Sequence, residues 1–195
     1  FTNFESTAEL DTDTQDVRRL EKLLYKSNPS YLDLLFAPDI DAHGFNNIKD
    51  IVNMRDDIAR INLPVLYSAS MGMYDQSKRD ILNGTSEKVR TMIKEYGYNT
   101  KKFMLALHFL RTLEQYHKSG FNHYGKAIWY EGDERDFMIG AKRGKFSWLE
   151  AQDILAEQQA KVLALKEDYK AQPVDEETNR NLQIALRELV KRELK

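Results

Sequence analysis

From Thr14 onward, apolar residues recur three and four positions apart almost without interruption, and alternating runs are nearly absent. This pattern commits most of the chain to helices that each bury one stripe. Only Ser6–Thr12 and Ala127–Tyr130 read as strand candidates. The expected fold class is therefore mainly α: a multi-helix domain with a carboxy-terminal helical hairpin.

The spacing predicts a first helix over 14–26, capped by Asp13 or Thr14, with Val17, Leu20, Leu23 and Leu24 facing inward. Asn28-Pro29 breaks it, and Ser30 is expected to cap a short helix over 31–36 that Pro38 ends. Residues 39–46 read as a loop, followed by helices over 47–62, 63–83 and 86–95. The strongest periodicity runs from Gly97 to Ser119. At about 100° per residue, Phe103, Ala106, Leu107, Leu110 and Leu113 form its apolar face. The opposite stripe holds Lys101, His108, Arg111, Gln115 and Lys118, with Lys102 competing with Lys101 for the same place. Further on, Ser147-Trp148-Leu149-Glu150 has the form of a capping box. It opens a helix expected to reach Tyr169, and Asp175 caps a last one marked by Leu182, Leu186 and Leu189.

Composition narrows the function. The 195 residues are 42% hydrophobic, enough for one full domain or a domain with a helical appendage. No cysteine occurs, so disulfides, thiolate metal sites and cysteine nucleophiles are excluded, and a reducing, cytoplasmic-type compartment fits. A net charge of −2 argues against a strongly basic nucleic-acid binder. No run of roughly 18 apolar residues is present to span a membrane, and the first residues lack the pattern of a signal peptide.

Several segments, in order, resemble the nucleotidyltransferases of the polymerase β superfamily found associated with RNA ligases. Asn28 to Phe36 is similar to an Asn-Pro segment of that family, with Asp33 where glutamate is usual. Gly72-Met-Tyr-Asp-Gln76-Ser-Lys78 resembles its Gly-x-x-x-Gln-x-Lys helix, and His108-Phe-Leu-Arg111 its His-x-x-Arg pair on the helix that lines the nucleotide site. Ile139 to Gly144, followed by Trp148-Leu149-Glu150, is similar to the turn before its helical hairpin. The family's Gly-Ser turn is missing from this sequence. By position, Leu10-Asp11-Thr12 resembles the strand that carries the third acid. The first two metal ligands are then expected upstream of Phe1, which would make the whole protein α+β. On this resemblance, residues 1–40 are the tail end of a nucleotidyltransferase-like domain and residues 41–195 a helical, nucleotide-facing domain.

The resemblance implies transfer of a nucleoside monophosphate from a nucleoside triphosphate to a hydroxyl. Mg2+ would serve as cofactor, with Asp11 as a catalytic acid and metal ligand. It also implies that Lys101, His108, Arg111, Gln76 and Lys78 face the nucleotide. The residues themselves leave alternatives open. Asp11 also reads as a cap in the acidic run Glu9, Asp11, Asp13, Asp16, and the basic stripe as a solvated helix face. His117 reads as an interior or boundary residue, and His43 with Asp39 and Asp41 lacks regular metal-ligand spacing. Phe121, Tyr124, Trp129 and Tyr130 around Lys126 suit core packing or base stacking. The acceptor stays open among an RNA end, a protein hydroxyl, an antibiotic and a small metabolite, as does the oligomeric state. The competing class is a non-catalytic helical interaction module.

Overall fold

The computed structural model describes residues 2–6, 11–41 and 46–193, with side chains over 16–41 and 48–191. The chain is mainly α and packs as two compact units: Phe1–Asn62 with Pro173–Lys195, and Leu63–Gln172. Among the described residues, no helix is long and apolar enough to cross a membrane.

In the first unit, β1 (Thr2–Ser6) pairs antiparallel with β2 (Asp11–Gln15), placing Phe4 opposite Asp13 and Asn3 opposite Thr14. Asp13 and Thr14 are therefore extended, and neither caps the first helix. Asp16 does so instead: its carboxylate accepts from the Arg18 amide at 2.9 Å, opening a 3-10 turn (Val17–Arg19) that runs into α1 (Leu20–Tyr25). Hydrogen bonds from the Arg18 side chain and backbone hold the Asp16 carboxyl well below the usual range. Leu24 is the only apolar residue expected on this stripe that is fully buried.

Asn28, rather than Ser30, caps α2 (Pro29–Leu35). Its side chain accepts from the Ser30 amide at 3.1 Å, and Pro29 takes the first helical position, where a missing N–H costs nothing. The helix expected over 47–62 is divided at Met54 into α3 (Asn46–Asn53) and α4 (Arg55–Arg60). The last helix, α12 (Glu176–Glu193), packs against α1, α3 and α4 and buries Leu182, Leu186 and Leu189. Asp175 opens it, accepting from the Thr178 amide at 2.9 Å, while its own amide donates to the Ile61 carbonyl at 2.9 Å.

The second unit holds α5 (Leu63–Asp80), α6 (Glu87–Tyr96), α7 (Thr100–Lys118), α8 (Tyr124–Ile128), α9 (Gly132–Lys142), α10 (Trp148–Ala164) and α11 (Lys166–Lys170). α7 is its centre, with α5, α8, α9 and α10 all packed on it. The predicted face of Phe103, Ala106, Leu107, Leu110 and Leu113 is buried to within 1%. Phe109, Thr112 and Tyr116 are buried as well, because neighbours cover more of α7 than one stripe. Gly97 ends α6 in the left-handed region at φ 81, so α7 starts at its own cap, Asn99. The stretch 127–130 is not a strand: Ala127 and Ile128 belong to α8, where a helical turn buries Ala127.

The capping box forms as read. The Ser147 amide donates to Glu150 Oε2 at 2.8 Å, and the Glu150 amide to Ser147 Oγ at 3.3 Å. The helix it opens breaks at Leu165 before resuming as α11. The two helices expected to pair as a hairpin are shared between the units: α10 finds its packing partner in α7, and α12 in α3.

Candidate functional site

The basic stripe of α7 is positioned from both ends of the helix. Asn99 accepts from the Lys102 amide at 3.1 Å and sets where the helix starts. Thr100 Oγ1 donates to the Lys142 carbonyl at 2.7 Å, which ties the beginning of α7 to the end of α9. α9 thereby lies along the face that carries His108 and Arg111.

His108 Nδ1 lies 2.9 Å from Tyr130 Oη, and the two rings meet edge to face. One turn on, the Arg111 guanidinium sits 4.9 Å above the Phe137 ring. Its closest carboxylate contact, Glu134, is loose at 4.0 Å. The Arg111 side chain is 21% exposed, yet Nη1 is buried and finds no hydrogen-bond partner among the described residues. A buried charged donor without an acceptor is costly, and most such groups in folded proteins are satisfied.

Elsewhere on α7, Lys101 is exposed, whereas Lys102 turns to α5 and pairs with Asp80 at 2.9 Å. Lys102 is thus committed to α5, and Lys101 is the exposed lysine of the two. Lys118 is neutralised by Glu114 at 2.7 Å. Burial would raise the Glu114 carboxyl, but hydrogen bonds from Lys118 and from Gln158 (2.6 Å) outweigh it and hold the carboxyl below its ordinary value.

The other predicted nucleotide residues lie on α5 and keep different company. Gln76 donates to Asp80 at 3.1 Å and accepts from Arg79 at 2.8 Å. Hydrogen bonds from Lys102 and Gln76 lower the Asp80 carboxyl. The Lys78 ammonium sits 5.5 Å from the centre of the Tyr74 ring and makes a long contact with Gln159 at 3.4 Å. The structure brings His108 and Arg111 together beside α9, and gives Gln76 partners on α5 and Lys78 partners on α5 and α10 instead.

Asp11 pairs with Ser6 through the backbone of β2; its side chain, like His43, lies outside the described residues. Among the described residues, no three His, Asp or Glu side chains gather to hold a cation. The described donor set therefore does not assemble a Mg2+ site. His117 is a boundary residue, 2.8 Å from Asp168 and packed on Phe121 and Tyr169. Of the aromatic group, Phe121 and Tyr124 pack on Tyr116, Tyr130 turns to His108, and Trp129 is exposed.

Glu134 and Phe137 carry no sequence signal of their own. Their spacing puts both on one face of a helix, but only packing of α9 on α7 shows which side chain they meet. No family model, curated protein or solved structure matches the chain.

Proposed function

We propose that the chain is the helical, nucleotide-facing part of a nucleotidyltransferase that moves a nucleoside monophosphate from a nucleoside triphosphate to a hydroxyl acceptor. The observation that carries this reading is Arg111: a guanidinium 4.9 Å from the centre of the Phe137 ring, with a buried Nη1 donor that has no acceptor among the described residues. The Arg111 side chain is 21% exposed and so open to a ligand on one side. A phosphate there, with a small shift of the guanidinium, supplies acceptors, and arginine grips phosphate through two parallel N–H donors. Lys101 adds a point charge toward the start of the same helix face, and His108 is fixed beside Arg111 by Tyr130. In the transfer, the acceptor hydroxyl gives up its proton to water as its oxygen attacks the α-phosphorus, the bond from that phosphorus to the α,β-bridging oxygen breaks, and pyrophosphate leaves with its charge held by Arg111 and Lys101.

The test is thermal unfolding of the full chain with each nucleoside triphosphate. A ligand at 100 times its dissociation constant adds about 2.7 kcal/mol. The Arg111→Ala variant loses this stabilisation, and Lys118→Ala, whose charge is already neutralised by Glu114, keeps it. Equal behaviour of the two variants, or no stabilisation of the parent chain by any triphosphate, sinks the reading.

The second reading, a non-catalytic helical interaction module, is favoured by apolar side chains left on α10, where Leu149 is 69% and Leu163 50% exposed. It predicts association through α10 that Leu163→Asp abolishes, with no response to nucleotides.

A further inference from the structure

Lys78 and Arg79 do not belong to the Arg111 face, and neither forms an ion pair among the described residues. Both line a separate cleft of about 390 Å³ between the end of α5 and the start of α10. That volume is in the range of small-molecule sites.

Three kinds of chemistry converge there. Lys78 and Arg79 bring two neighbouring positive charges, one resting on Tyr74 and the other oriented by Gln76. Trp148 and Leu82 supply flat and apolar surface. Trp148 is backed by Tyr98, ring centres 5.4 Å apart, while Leu82 is 55% exposed. Gln152 and Asp153, on α10, supply an amide and a carboxylate that make no hydrogen bond or ion pair among the described residues.

We propose that this cleft binds a nucleoside 5′-phosphate whose base carries an exocyclic amino group. The two adjacent cations match a phosphate dianion better than a single carboxylate. The indole offers a stacking surface to the base. The Asp153 carboxylate accepts only, so it favours an edge rich in donors: adenine, cytosine and guanine present an amino group, whereas uracil's single N3–H is flanked by two carbonyls that the carboxylate repels. The site is distinct from the Arg111 face and does not depend on it.

Calorimetric titration of the full chain with AMP, CMP, UMP, adenosine and phenylalanine tests this. AMP and CMP bind, UMP binds at least about tenfold more weakly, and adenosine loses most of the affinity because it lacks the phosphate. Arg79→Ala lowers AMP affinity by about tenfold or more, and in that background, with the cleft weakened, a triphosphate still stabilises the chain through Arg111. Asp153→Asn removes the preference for AMP over UMP. In a Trp129→Phe background, Trp148 is the sole indole and its fluorescence falls as AMP binds. A 5′-phosphorylated tetra-adenylate separates the two sources of this chemistry. Tighter binding than AMP assigns the cleft to an RNA end, and equal or weaker binding to the free mononucleotide. The proposal is overturned if AMP shows no binding at about 1 mM, if phenylalanine binds in its place, or if Arg79→Ala and Asp153→Asn both bind AMP and UMP as the parent does.

Discussion

Glu114 shows how a single carboxylate ties α7 to α10. Its hydrogen bond from Gln158 is largely sheltered, whereas the Lys118 pair is a surface contact along one helix. Because its carboxyl is held below the ordinary 4.5 in the folded state, the stability it contributes is present above that pH and lost as pH falls through the lowered value. A hydrogen bond to a charged group contributes about 1.5–3 kcal/mol and a surface pair a few tenths. Glu114→Gln is therefore expected to lose about 1–2 kcal/mol at pH 7. That loss should shrink at pH values well below 4.5, as urea unfolding at several pH values would read. An unchanged difference at acid pH would remove the charge from the explanation. At this scale the sequence was most legible along one helix. The spacing of His108 and Arg111 predicts a shared face, and they share one. Tyr130, Glu134 and Phe137, which give Arg111 and His108 their geometry, lie on other segments, and no local pattern says which helix face they cover. Trp148 and Gln152 read as the start of a helix for the same reason, not as a wall of a cleft.

Elements were readable where an end is written in local chemistry. The Ser147 and Glu150 box forms because both of its hydrogen bonds lie within one turn. Ser147→Ala is expected to lose about 1 kcal/mol, measured as a lower urea midpoint with unchanged slope. The turn just before it is stricter. Gly144 has φ 77, and a Cβ there would meet the Tyr96 ring at 2.2 Å. Gly144→Ala therefore combines a disfavoured backbone with a clash and should lose roughly 2–4 kcal/mol. A cost no larger than that of Ser147→Ala would show that the Tyr96 ring moves aside. The breaks at Met54 and Leu165 were not readable, since neither glycine nor proline marks them and the apolar period continues across both. The start of α1 is ambiguous in the sequence because Asp13, Thr14 and Asp16 all suit a cap. Only the pairing of Asp13 and Thr14 with β1 removes two of them from contention.

At the scale of the whole molecule, the first unit is built from two stretches far apart in sequence, and the second from one continuous stretch. Residues 63–172 hold their own buried centre in α7, so this fragment is expected to unfold cooperatively by itself. Both tryptophans lie within it. Removal of residues 173–195 takes away Leu182, Leu186 and Leu189, which fill the first unit. The shortened chain should keep its tryptophan emission while losing more far-ultraviolet helical signal than α12 alone contributes. Loss of tryptophan burial in the same transition would show that the second unit does not stand alone.

This arrangement also bears on how the protein is made. A ribosome releases Leu24, Leu32 and Ile58 early, but the leucines of α12 that share their unit emerge only after all of residues 63–172 have been translated. The middle of the polypeptide can settle while its opening segment still waits with oily side chains uncovered. A chain released short of Leu182 would thus carry a finished second unit and an adhesive, unfinished first one, the form that chaperones and proteases are drawn to.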